Sequence, residues 1–143
     1  MSTKLVLNKE GLLRKQELRI EEVDLGNDEV IYVRQMTGHE RDQFEQSMRK
    51  EVKKNGVVEG YDLILADFRA KLAACTVCDE GGKLLLTMND YQILSNNMSA
   101  ERLELIVNVA QSLNSITKED KEGLIKNLEA IPESNSNSDS AKN

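Results

Sequence analysis

The chain has 143 residues and a mass of 16.1 kDa, which suits one domain that buries roughly 70% of its unfolded surface. Acidic residues outnumber basic ones, 25 against 19, for a net charge of −6 and a pI near 4.9, which argues against binding to nucleic-acid phosphates or anionic lipid by long-range attraction. Hydrophobic residues make up 39% and aromatics 3%, with no Trp, so the core must come from Leu, Ile, Val and Ala, an inventory that favours a helix-rich fold.

No run approaches the roughly 18 apolar residues of a membrane span. The start, MSTKLVLNKEG, places charges where a signal peptide has its apolar segment, so an intracellular protein is expected. Two cysteines cannot form a disulfide framework, and a single His leaves little material for a metal centre or a general base. Composition therefore argues for a protein that is not a conventional enzyme and needs no cofactor.

Asn8 is a candidate N-cap for a short helix carrying Leu12 and Leu13. From about residue 18 to 35, Leu18, Ile20, Val23, Leu25 and the run Val30-Ile31-Tyr32-Val33 flank Gly26-Asn27-Asp28, the pattern of a β-hairpin with a Gly-containing turn. The apolar phase slips by one residue between Ile20 and Val23, which suggests a bulge there. Thr37 and Glu40 have the spacing of a capping box, so a helix should begin at about 38. Phe44, Met48 and Val52 recur every four residues and extend it to about 54, with Asn55-Gly56 as its stop.

A second helix, expected over about 60–78, aligns Tyr61, Ile64, Leu65, Phe68, Leu72 and Cys75 on one face before Asp79 to Gly82 breaks it. Lys83 to Leu86 reads as a short extended run. Thr87 and Asp90 mark a helix start for about 88–96, with Tyr91 and Leu94 inward and Asn96-Asn97 at its end. Ser99 caps a helix over about 99–115, in which Leu103, Ile106, Val107, Ala110 and Leu113 follow i, i+3, i+4, i+7 spacing, with Glu101 near its positive end. Thr117 and Asp120 open a last helix, about 118–131, carrying Leu124, Ile125, Leu128 and Ile131, and Pro132 closes it. The Ser- and Asn-rich residues 133–143 are expected to be a disordered tail. The expected architecture is α+β, with an N-terminal hairpin and a bundle of about five helices in a single domain over residues 1–132.

The chemistry-bearing residues each have an ordinary structural explanation. Cys75-Thr76-Val77-Cys78 matches Cys-x-x-Cys, but it closes a helix rather than opening one, and no second cysteine pair completes a tetrahedral metal site. His39 falls in the first turn of a helix, where a solvated position is expected. Glu21-Glu22 and Asp79-Glu80 lie beside no nucleophile and fit strand-edge and turn positions. Gly81-Gly82 is a turn signal without a phosphate-binding motif around it. The stripes Leu103, Ile106, Val107, Ala110, Leu113 and Leu124, Ile125, Leu128 read most simply as core faces. Either one, left partly open, would form a helix-accepting groove and is the candidate partner-binding surface.

The ordered succession of short motifs resembles the tail assembly chaperone family of long-tailed bacteriophages. It begins with Leu7-Asn8-Lys9-Glu10, passes through Val30-Ile31-Tyr32-Val33-Arg34, and is clearest at Met36-Thr37-Gly38-His39-Glu40-Arg41-Asp42. It returns at Arg69-Ala70-Lys71-Leu72, at Cys78-Asp79-Glu80-Gly81-Gly82-Lys83-Leu84-Leu85-Leu86-Thr87, and at Leu113-Asn114. The chain departs from that pattern at Asp24-Leu25-Gly26, where relatives often carry Pro or an aromatic, and near Leu86, where they carry an aromatic. The cysteine pair is no part of it.

The resemblance implies no catalytic residue. It implies a protein that coats the long helical tape measure protein in the host cytoplasm, keeps it soluble, recruits tail tube subunits and is absent from the mature virion. Relatives are made in a short form and a frameshifted longer form, whose extension contacts the tube protein. On that resemblance this chain is expected to be the short form, with Ala141-Lys142-Asn143 compatible with a slippery A-AAA-AAC codon run. Self-association, through the hairpin edge or the two last helices, is a further expectation. The competing expectation is an acidic phage or bacterial adaptor or inhibitor that binds a single host protein.

Overall fold

The computed structural model describes residues 3–116. The expected helix over 118–131, with Leu124, Ile125 and Leu128, and the expected tail lie outside them. The described chain is α+β: α1 (Lys9–Leu13), β1 (Ile20–Gly26), β2 (Glu29–Arg34), α2 (Gly38–Gln46), β3 (Arg49–Lys54), β4 (Val57–Leu63), α3 (Phe68–Thr76), β5 (Val77–Cys78), α4 (Tyr91–Asn97) and α5 (Ala100–Leu113).

β1 and β2 form the expected hairpin, and β5 adds antiparallel to β2, giving a sheet of order β1-β2-β5. Asn27 and Asp28 both adopt positive φ (55° and 61°), as a two-residue type I′ turn requires. The strand is regular between Ile20 and Val23, and the bulge falls between Asp24 and Gly26, next to the turn. This placement sends Val23 and Leu25 into the core and leaves Glu22 and Asp24 outside.

The Thr37 box closes as expected. Its hydroxyl accepts from the Glu40 N–H and the Glu40 carboxylate accepts from the Thr37 N–H. The helix it starts ends at Gln46, however, and residues 49–54 are a strand rather than two further turns. Asn55 and Gly56, at φ of 55° and 79°, form the turn of a second hairpin, β3–β4. Phe44 and Met48 are buried as the four-residue spacing implied, whereas Val52 is exposed on the new strand.

The second expected helix is also shortened from its start. Tyr61 lies in β4, Ile64 and Leu65 lie in an exposed connection, and α3 begins only at Phe68, after Asp67 in the left-handed region (φ 62°). Asp67 makes no cap bond with its own helix and instead accepts a hydrogen bond from the Ser95 hydroxyl on α4. From Ala70 to Cys78 every residue is buried, which makes α3 the central helix. Phe44 of α2 meets Phe68 of α3 edge-on, with ring centroids 5.7 Å apart.

The Asp79–Gly82 turn returns the chain so that Leu84 bridges to Cys78 and the Leu85 N–H donates to the Val77 carbonyl. Gly82 has φ of 93°, and a Cβ there would stand 3.1 Å from the Ile20 side chain, so both conformation and contact favour glycine. Thr87 and Asp90 form the anticipated box around one 3₁₀ turn, Met88–Asp90, which leads into α4. Ser99 accepts from the Arg102 N–H and starts α5, whose buried residues are Leu103, Ile106, Val107, Ala110 and Leu113. Full burial of such aliphatic side chains contributes about 1.5–3 kcal/mol each, so α5 is the principal cover over the β1–β2 sheet and α3.

Candidate partner-binding surfaces

The α5 stripe does not form the open surface considered from the sequence. Leu103, Ile106, Val107, Ala110 and Leu113 are at most 5% exposed, because α5 lays this face against α3, β1 and β2. Its C-terminus is also held. The Asn114 side chain accepts from the Met36 N–H (2.6 Å) and donates to the Ala110 carbonyl (2.9 Å). Gln35 donates to the Leu113 carbonyl and Arg41 to that of Asn114, so side chains from the β2–α2 link and from α2 satisfy carbonyls that a helix end leaves free. The Met36–Asp42 and Leu113-Asn114 motifs, 78 positions apart at Met36 and Asn114, thus meet at one junction.

Beside this junction, the Arg34 guanidinium holds the Glu40 carboxylate through two hydrogen bonds of 2.9 and 2.8 Å and also donates to the Gln35 carbonyl. Those bonds from Arg34 lower the Glu40 pKa below its ordinary range despite partial burial. The nearby cysteines respond in the opposite direction. Burial pushes the Cys75 thiol up to about 11, with the Glu40 charge adding to the effect, and raises Cys78 as well. Both are free and buried, so this environment favours the unreactive thiol over a thiolate nucleophile. Lys71 is also buried. Its ammonium donates to the Ser47 carbonyl at the end of α2 and sits 5.1 Å from the centre of the Tyr91 ring. His39, Glu21, Glu22, Asp79 and Glu80 are exposed, and among the described residues no three His, Cys, Asp or Glu side chains are grouped as metal ligands would be.

Three exposed apolar surfaces stand out among the described residues. The first is a groove of about 570 Å³ between α4 and the start of α5, with Leu86, Ile93, Leu94 and Met98 as its apolar lining and Asp90, Asn97, Ser99 and Arg102 as its polar lining. Ile93 is 63% exposed there. Arg102 reaches across to pair with Glu29 at the β1–β2 turn, yet its Nε is buried without a hydrogen-bond partner. The apolar spacing of the sequence marks Leu94 as inward and gives no role to Ile93. The signal of Ile93 is weak, because α4 is seven residues long and too short to show a second stripe.

The second surface is the N-terminal arm. Asn8 caps α1 through the Gly11 N–H, but α1 buries no residue, and Leu5, Val6, Leu7, Leu12 and Leu13 are all exposed. The third is the β3–β4 ribbon, in which every β3 residue is exposed and Val52, Val57, Val58 and Tyr61 present apolar surface. The ribbon is closed at its base, where the Ile64 N–H donates to the carbonyl of buried Met48. Comparison with protein-family models, curated proteins and solved structures finds no match to this chain.

Proposed function

We propose that this chain is a tail assembly chaperone of a long-tailed bacteriophage. In this reading it holds the tape measure protein in the host cytoplasm, recruits tail tube subunits, with a frameshifted longer form contacting the tube, and leaves before the tail is complete. The observation that carries the reading is the α4–α5 groove. It combines an apolar lining, open access and a polar rim that includes Asp90 and Arg102, features that suit one face of an amphipathic partner helix. The exposed leucines of the arm add reversible apolar contact, and the acidic chain as a whole favours solubility. The motif resemblance supports the same reading, and its Cys78–Thr87 segment contributes Leu86 to the groove lining.

The test is affinity capture of the tagged chain from phage-producing cells before mature tails accumulate, with mass spectrometry of the captured proteins, beside the variant Ile93→Asp. Exposed Ile93 can be replaced with the fold retained, which circular dichroism checks. The expected result is a long helical tape measure protein with tail tube subunits on the parent chain and loss of both on the variant. Capture of one host protein without tail components overturns the chaperone reading in favour of the adaptor or inhibitor. Equal capture of tail components by the variant removes the groove as the contact.

A further inference from the structure

The end of α5 turns the chain off the helix axis. Asn114 closes the helix and Ser115 takes the left-handed conformation (φ 55°). The Ser115 N–H donates to the Ser112 carbonyl at 3.3 Å and the Ile116 N–H to that of Gln111 at 2.8 Å, the pair of bonds of a Schellman motif. Ile116 is 6% exposed, so the chain leaves the helix towards the body rather than into solvent.

α5 also keeps one side open. Arg102, Leu105 and Val109 follow i, i+3, i+7 spacing beside the buried stripe; Leu105 is 39% exposed and Val109 is only partly buried. At Arg102 this side runs into the α4–α5 groove, where Ile93 is exposed.

The chain beyond Ile116 matches that side in length and spacing. Residues 118–131, which lie outside the described part, carry Leu124, Ile125, Leu128 and Ile131 at helical spacing and are as many as α5 itself contains. As a helix, either segment extends about 21 Å at a rise of about 1.5 Å per residue. Laid antiparallel on α5 across the turn at Ile116, the second segment brings Leu124 level with Val109, Leu128 with Leu105 and Ile131 with Arg102, because the members of each pair are equally far from the turn. A short link between consecutive helices is the ordinary connection of such a hairpin.

We infer that residues 118–131 fold back along α5 of the same molecule, cover Leu105 and Val109, and close the mouth of the α4–α5 groove with Ile131. An apolar groove is then shielded in the free chain, and a partner helix has to displace the Ile131 end to enter. That displacement rests on the groove being the partner site, as proposed above; the cover itself does not.

The test uses the full chain with no partner present. The variant Leu105→Cys with Leu128→Cys and the control Leu105→Cys with Glu119→Cys are treated with oxidised glutathione at low protein concentration, and non-reducing peptide mapping identifies the disulfides. The fold-back sets the first pair level and the control pair about two and a half helical turns apart. The first pair should therefore close within one chain about tenfold faster than the control. Cys75 and Cys78 are buried and should stay reduced, and circular dichroism of the reduced variants checks the fold. Equal rates for the two pairs, no disulfide, or disulfides only between chains overturn the inference. In the unmodified chain, amides of residues 124–131 should exchange about tenfold more slowly than those of residues 133–143, and equal exchange overturns it as well. In capture from phage-producing cells, the disulfide-closed variant should retain less tape measure protein than the same variant reduced. Equal capture overturns the displacement and leaves the cover standing, so the two readings fail separately.

Discussion

The two hairpins of this chain use the same turn device and come to different ends. Each closes on two residues with positive φ, Asn27-Asp28 in one and Asn55-Gly56 in the other, and each has a register shift in its strands. The β1–β2 hairpin alternates, so that Val23, Leu25 and Val33 reach the core while its acids face water. The β3–β4 ribbon has a single apolar residue, Val52, on its first strand, and buries none of that strand. Turn chemistry is sufficient to make a hairpin, but an apolar face of period two is what makes it part of a body.

That division can be broken by substitution. The largest effect should follow from Ile106→Ala, because this side chain is 1% exposed at the contact of α5 with the sheet and α3; a loss of about 2–5 kcal/mol is expected in urea unfolding. Glu40→Gln should follow, at about 1–3 kcal/mol near neutral pH, since it weakens a charge-assisted pair and leaves the nearly buried Arg34 less well satisfied. The pH dependence has a definite sign. Glu40 has a folded pKa below its ordinary value of 4.5, so its stabilisation is present above that value and is lost as pH falls through the folded pKa. The parent should therefore lose more stability than Glu40→Gln when the unfolding midpoint is followed from neutral pH to below 4.5.

Asn114→Ala should cost about 1–2 kcal/mol by leaving the Met36 N–H without its acceptor, and it should raise amide exchange at Met36 more than in the ribbon. The smallest effect belongs to Val57→Ala. This residue is 65% exposed, and a change within about 0.5 kcal/mol is expected in the same urea series. A ribbon substitution as costly as Ile106→Ala would show that the ribbon is part of the cooperative body after all.

The sequence discloses those elements whose apolar period and caps agree. The β1–β2 hairpin, the Thr37 and Thr87 boxes, and α5 with its Ser99 cap are all legible for that reason. The ribbon is hidden by a conflict between two signals. Phe44, Met48 and Val52 keep helical spacing through residue 52, and Lys and Arg are good helix formers, while Asn55-Gly56 serves equally as a helix stop and as a hairpin turn. The tertiary structure resolves it: Met48 is buried at the base of the ribbon, and residues 49–54 are free to extend because no apolar stripe binds them to the core. The start of α3 is obscured in the same way, since Tyr61, Ile64 and Leu65 keep helical spacing without sharing a helix. Of the candidate surface, the α5 stripe was legible as an amphipathic face, but its covering partners were not. The groove depends on where two short elements meet, which sequence spacing does not encode.

The Asn114 junction also orders events during synthesis. The β1–β2 hairpin can close soon after residue 34 leaves the ribosome, but the face bearing Val23, Leu25 and Val33 lacks its principal cover until α5 follows, and the link at Gln35 and Met36 lacks its partners until residues 113 and 114 follow. Contacts of such long sequence separation carry a large loop-closure cost before they contribute anything. The body therefore completes late and as one unit, and an unfinished chain exposes the very surface that the mature protein hides.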